Sequence, residues 1–137
     1  MKSDISVVIP LYNKEKEIAC TLRSVLAQTS QPLEIIVVDD GSTDRSAEIV
    51  RGIRSPLVKL VTQPNAGECA ARNRAIAEST GDYIALLDAD DTWEPGFLEE
   101  IAAMIAEFPG CGVYSTAFNI VSHDGRFPAR TPSERGV

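Results

Sequence analysis

The sequence predicts an α/β domain: a mostly parallel sheet with helices on both faces. Two hydrophobic periods alternate along the chain, short β-branched runs followed by longer stretches at helical spacing. Several of the short runs are apolar on both faces, as strands in the middle of a covered parallel sheet must be. Two of them run straight into acidic clusters, "EIIVVDDGSTD" at 34–44 and "LLDADDTWEP" at 86–95.

In chain order, strands are expected at 5–10 (ISVVIP), 33–39 (LEIIVVD), 58–62 (VKLVT), 82–88 (DYIALLD) and 112–117 (GVYSTA). The first helix is expected over 14–28, with Asn13 as its N-cap and Ile18, Leu22, Val25 and Leu26 on one stripe. The second begins near Ser42 or Thr43 as cap and turns Ala47, Val50 and Ile53 inward. An alanine-rich helix follows over 66–79, and a fourth over 96–108 carries Phe97, Ile101, Ile105 and Phe108. Strand-helix alternation of this kind implies right-handed crossovers. Residues 1–117 form the α/β domain on this pattern. Beyond Ala117 the periodicity thins: "HDG" at 123–125 looks like a turn, and 118–137 is expected to be a loop or tail.

The bulk composition narrows the function. A chain of 137 residues with 44% hydrophobic content can bury one modest core. A net charge of -7 argues against nucleic acid and anionic membrane as primary partners, since both reward clustered Lys and Arg. The three cysteines, Cys20, Cys69 and Cys111, have no CxxC spacing and are expected to be buried core thiols in a reducing compartment. No apolar run reaches the roughly 18–20 residues of a membrane span, and no signal peptide opens the chain. A cytoplasmic protein is expected, compatible with work at the inner face of the membrane.

The acids are informative by position. In open α/β sheets ligands bind outside the carboxyl ends of the strands, and both clusters occupy such ends. If the two strands are neighbours, four or five carboxylates share one rim. A like-charged pair about 4 Å apart costs on the order of 4 kcal/mol at an effective dielectric near 20, so raised pKa values or a cation must offset the crowding. Asp88-Ala89-Asp90 on an extended segment sets two carboxylates on one side, suited to a divalent ion that also holds phosphate oxygens. Oxygen ligands select Mg²⁺ or Mn²⁺. The plainer alternative is that Asp and Gly merely end strands as turn residues; two clusters together favour the metal. Tyr12, after "VVIPL", could lie flat on a planar base, although a tyrosine there more often just packs. In "NAGECAARNRAI" Gly67 precedes a helix carrying Arg72, Asn73 and Arg74, where an arginine and a helix N-terminus could serve a diphosphate. The single histidine, His123, supports neither a ligand set nor a triad and is expected to be exposed.

Taken together, "SVVIPLYNKEKEIACTLRSVLAQT", "EIIVVDDGSTDRS", "PNAGECAARNRAI" and "GDYIALLDADDTWEPGFLE" resemble the nucleotide-sugar half of a family 2 glycosyltransferase of the GT-A fold. The resemblance covers about residues 4–117. It implies a Rossmann-like sheet and inverting transfer of a sugar from a nucleoside diphosphate to an acceptor hydroxyl, of a glycan or glycolipid, in cell-surface polysaccharide or glycolipid synthesis. It implies that Pro10 and Tyr12 border the base, with Tyr12 stacking. The Asp39–Asp40 pair would read the nucleoside, with Asp40 at the base edge. Arg72 matches the family's arginine near the donor phosphates. Asp88-Ala89-Asp90 matches the DxD motif, with Asp90 on a Mn²⁺ or Mg²⁺ ion and Asp88 facing the sugar or ribose or sharing the metal; Asp91 could share either role. A UDP-sugar is the favoured donor, and the oligomeric state is left open.

The departure from the family pattern is also specific. An inverting transferase needs a general base, which the family draws from an acceptor-binding segment well beyond the DxD. The sequence stops at Val137, before such a segment is expected. After Glu107 the only carboxylates are Asp124 and Glu134, neither in the family's pattern. The resemblance therefore implies donor binding, with transfer by this chain alone in doubt, and a homologue that only binds donor stays open. A phospho-acceptor receiver domain fits less well: the Asp pair ends the second strand rather than the first, and no lysine follows Lys59. A nucleotidyltransferase usually has a glycine-rich basic loop where this chain reads "PLYNKEKE".

Overall fold

The computed structural model describes residues 4–122 and 125–128. The chain divides into two compact units, residues 1–102 and 103–137. The first holds a parallel sheet of four strands: β1 (Ile5–Leu11), β2 (Glu34–Asp39), β3 (Val58–Thr62) and β4 (Tyr83–Leu86), in the order β3-β2-β1-β4. The helices between them are α1 (Ile18–Leu26), α2 (Ser46–Arg51) and α3 (Glu68–Glu78), and α4 (Phe97–Glu107) follows β4.

Burial follows from the register. Every residue of β1 and β2 is buried, because each strand has a neighbour on both sides and cover above and below. Val8 pairs with Ile36 and Pro10 with Val38, which places these side chains on one face. Ala71 and Ala75 of α3 pack there with Val8, Ile36 and Val38. The alanines explain the close fit, since a short side chain lets a helix approach a sheet of valines and isoleucines. Val7, Ile9 and Leu11 with Ile35 and Val37 form the opposite face and are equally shut off from solvent. The apolar side chains left to cover that face are the buried stripe of α1 (Ile18, Leu22, Val25), Val50 of α2, and Leu98 and Ile101 of α4.

Pro10 stands inside a central strand, where a missing N–H normally breaks a ladder. Val8 accepts the Leu87 N–H as β4 ends, and Leu11 accepts the Asp40 N–H from beyond β2. Backbone groups alternate sides along a strand, so Pro10 faces the side of β4 just where pairing to β4 stops. The proline therefore costs no bond and helps to end the ladder, leaving a gap between β1 and the chain leaving β4.

Several elements differ from the sequence expectation. No strand forms over 112–117; instead β5 (Asn119–Ser122) and β6 (Gly125–Pro128) make an antiparallel hairpin in the second unit, within the stretch expected to be loop or tail. The β-branched run GVYSTA finds no neighbouring strand to pair with, whereas Ile120 and Phe127 pair across the hairpin. Helix α1 starts at Ile18 without a side-chain cap, and α2 starts at Ser46 rather than after Ser42 or Thr43. Asn13, Ser42 and Thr43 are used elsewhere, as described below. The cysteines are all exposed free thiols, because Cys20 and Cys69 lie off the buried stripes of their helices. His123, Asp124 and Glu134 lie outside the described residues. Among the described residues no helix is long and apolar enough to cross a membrane.

Candidate functional site

β1 is the point at which strand order reverses, since the chain runs from β1 outward through β2 to β3 and then returns to pair β4 on the other side. At its carboxyl end lies a cleft of about 500 Å³, within the size range of small-molecule sites. Pro10, Leu11, Tyr12 and Lys14 line it from β1 and the turn beyond; Asp88, Ala89 and Asp90 line it from the end of β4. Asp40, Asn65, Gly67, Glu68 and Ala71 complete the wall. The two acidic clusters are thus brought to one cleft, although β1 lies between their strands and the two strands are not neighbours.

The turn after β1 is fastened to the loop after β2 by an interlock that the sequence motifs did not reveal. Asn13 adopts a left-handed backbone (φ 48°), a conformation Asn tolerates. Its N–H donates to Ser42 Oγ at 3.0 Å, and its Oδ1 accepts the N–H groups of Thr43 at 2.8 Å and Asp44 at 3.3 Å. Lys14 N–H donates to Ser46 Oγ, and Glu15 N–H to Asp44 Oδ2. The "YNKE" turn and the "DDGSTD" loop therefore fasten each other, which is why Asn13, Ser42 and Thr43 are not helix caps.

Asp40 is almost fully buried, at 2% exposure. Its Oδ1 accepts from Gln63 Nε2 (2.9 Å) and Ala66 N–H (2.8 Å), and its Oδ2 from Gly67 N–H (2.9 Å) and Asn65 Nδ2 (3.3 Å). Burial alone would raise its pKa; these donors outweigh that and hold the carboxyl below its ordinary range. They also commit the amides just ahead of α3 to Asp40, so these are not open to an anion. Asp39 is buried too, does not line the cleft, and accepts the Ser42 N–H at 3.3 Å.

At the other wall the Asp88 and Asp90 carboxylates are each met by a cation from the chain. Arg72 donates to Asp88 Oδ1 at 3.2 Å and to Glu68. The Lys14 ammonium lies 3.0 Å from Asp90 Oδ2, both side chains being roughly two-fifths exposed (40% and 43%). That bond raises the Lys14 pKa. Partial desolvation and the adjacent Asp90 and Asp88 charges hold Asp91 above an ordinary aspartate. Tyr12 is 47% exposed at the rim. Of the residues nominated from sequence, Pro10, Tyr12, Asp40, Asp88, Ala89 and Asp90 meet in the cleft, Arg72 reaches it through Asp88, and Asp39 stands behind it. Lys14 was not nominated; the basic residue directly after "YN" was the available signal.

Among the described residues no three His, Cys, Asp or Glu side chains converge as a complete metal site. The donor set nevertheless suits Mg²⁺ or Mn²⁺, which bind through one or two carboxylates and take their remaining oxygens from phosphates and water.

Comparison with known proteins bears on this geometry. Residues 6–134 match the family model described as Glycosyl transferase family 2. The uncharacterized glycosyltransferase YibD of Escherichia coli (strain K12) is 44% identical over 105 residues, which are 75% of this chain and 30% of that protein. The crystal structure of S. aureus TarS 1–349 in complex with UDP-GlcNAc superposes with a TM-score of 0.69 at 30% identity, covering 91% of this chain and 42% of that one. The mannosyltransferase PcManGT from Pyrobaculum calidifontis, in complex with GDP-Man and Mn²⁺, gives 0.71 at 28% identity, covering 77% of this chain and 33% of that one. The chain thus spans between 30% and 42% of the length of these relatives.

Proposed function

The chain belongs to glycosyl transferase family 2, and on that premise we propose that its cleft binds a nucleoside diphosphate sugar for inverting transfer to an acceptor hydroxyl of a glycan or glycolipid. One observation carries the proposal: an exposed aromatic ring, a buried carboxylate wall and two cation-paired aspartates are gathered at the end of the strand where sheet order reverses. Related structures bound to UDP-GlcNAc and to GDP-Man with Mn²⁺ support a donor of this class.

In this proposal the nucleoside lies at the Tyr12 and Asp40 end, with Tyr12 stacking on the base and Pro10 beside it. Asp40 holds the 63–67 loop as a wall; for it to read a base edge, an imide N–H must replace the Gln63 or Asn65 amide. Asp39 supports that loop end from behind. Asp90, with Asp88, would hold the divalent cation, which stabilises charge growing on the departing diphosphate more in the transition state than in the ground state. Arg72 orients Asp88 and adds positive charge on the same side. None of the described cleft residues is assigned the part of general base.

Calorimetric titration of UDP into the chain, once with Mn²⁺ and once with EDTA, tests the proposal. Binding with Mn²⁺ that weakens in EDTA is expected. No binding of UDP, GDP or TDP in either buffer would overturn it.

A further inference from the structure

We infer that Lys14 couples nucleotide arrival to cation capture: its ammonium neutralises Asp90 while the cleft is empty and transfers to the diphosphate oxygens when a nucleotide enters. The inference rests on nucleotide-sugar binding in this cleft and goes beyond it by naming what occupies Asp90 beforehand.

The observation is the placement of one mobile cation on a fixed base. The Lys14 main chain is held on both sides, its N–H by Ser46 Oγ at 2.9 Å and its carbonyl by the N–H groups of Glu17 and Ile18 at 3.1 and 2.9 Å. Its side chain is joined to Asp90 and stands 40% exposed in the cleft. A lysine is a compact point charge on a flexible stem, able to exchange one oxygen partner for another without moving the backbone. Arg72 differs, because its guanidinium is shared between Glu68 and Asp88 on and beside its own helix and is only 27% exposed.

Charge decides the order of events. Asp40, Glu68, Asp88 and Asp90 line the cleft against the single lysine, with Arg72 joined to the wall. A diphosphate entering such a cleft meets repulsion unless a cation turns toward it. Lys14 can supply that charge, and its departure bares Asp90 Oδ2, the oxygen proposed for the divalent ion. The ammonium and the ion therefore compete for one carboxylate when nucleotide is absent and act side by side when it is present.

The test is Mn²⁺ binding to the full chain without nucleotide, read from the free-ion electron paramagnetic resonance signal, together with UDP titration in EDTA. Lys14→Met and Lys14→Gln remove the competitor and are expected to bind Mn²⁺ about three- to tenfold more tightly than wild type. Both should bind UDP in EDTA several-fold more weakly, while Lys14→Arg should stay near wild type in each assay. Mn²⁺ affinity equal to wild type in both neutral variants would overturn the inference, even where wild type binds UDP normally. Failure of the wild type to bind UDP, GDP or TDP in either buffer would instead overturn nucleotide-sugar binding, and the inference with it.

Discussion

Tyr12 leaves the sheet directly after the last residue of β1 and keeps nearly half of its surface in solvent. A tyrosine needed for packing would be buried, so its exposure beside the cleft favours a ligand over a core role. Tyr12→Ala is expected to weaken UDP binding by roughly 1 kcal/mol, the scale of aromatic stacking, with no loss of thermal stability; equal affinities would return Tyr12 to a purely structural part. Gly41 shows the opposite logic. Its backbone is left-handed (φ +74°), and an added Cβ would meet the Asn65 backbone N at 2.8 Å. Gly41→Ala should therefore cost about 1–3 kcal/mol in urea unfolding, because neither the strained backbone nor the backbone neighbour yields easily.

Among the elements, the loop from Gln63 to Gly67 owes its shape to one buried carboxylate rather than to its own sequence. In hydrogen exchange the Ala66 and Gly67 amides should be protected in wild type and exchange roughly tenfold faster or more in Asp40→Ala. Unchanged protection would mean that the loop is held by something other than Asp40. The elements also show what the sequence made legible. β1 to β4 lie where the β-branched runs placed them: the central β1 and β2 carry their burial in a contiguous local pattern, and the edge strands β3 and β4 are short β-branched or aromatic runs paired to them. The cleft was legible for the same reason, since strand ends locate it. The part of Asn13 is not legible in the sequence because a cap and a left-handed turn residue look alike locally, and its partners lie some thirty residues away. The part of Lys14 is not legible either, because it depends on Asp90, a contact that only the pairing of β1 with β4 creates. The strand expected at 112–117 failed for the converse reason, β-propensity without a partner strand.

Across the whole first unit, the end of the sheet opposite the cleft is closed by a second buried carboxylate. Glu34 accepts from Ser6 Oγ on β1, Lys59 Nζ on β3, and both Thr80 N–H and Oγ1 just before β4, so one side chain ties all four strands. Gly81 completes the closure, donating its N–H to Ser6 Oγ where an added Cβ would lie 2.6 Å from the Asp4 carbonyl. Burial pushes the Glu34 pKa up, but Lys59, Thr80 and Ser6 outweigh it and hold it at about 2, against 4.5 for an ordinary glutamate. Because the folded value is the lower one, this stabilisation is fully present above pH ~4.5 and is lost as pH falls toward 2. It amounts to about 3 kcal/mol. The stability advantage of wild type over Glu34→Gln should accordingly shrink between pH 5 and 2 in urea unfolding, and a constant difference would contradict the assignment. Glu34, buried and bonded across the strands, thus holds the sheet together, whereas Asp90 at the cleft end is partly exposed and held by a single lysine.

The most direct test of the central claim is UDP titration of wild type and Asp90→Ala side by side in Mn²⁺. Asp90→Ala is expected to stay folded and to bind UDP more weakly in Mn²⁺ than wild type does, with no further loss when EDTA removes the metal. Wild-type affinity in the Mn²⁺-loaded mutant would contradict the placement of the cation at Asp90.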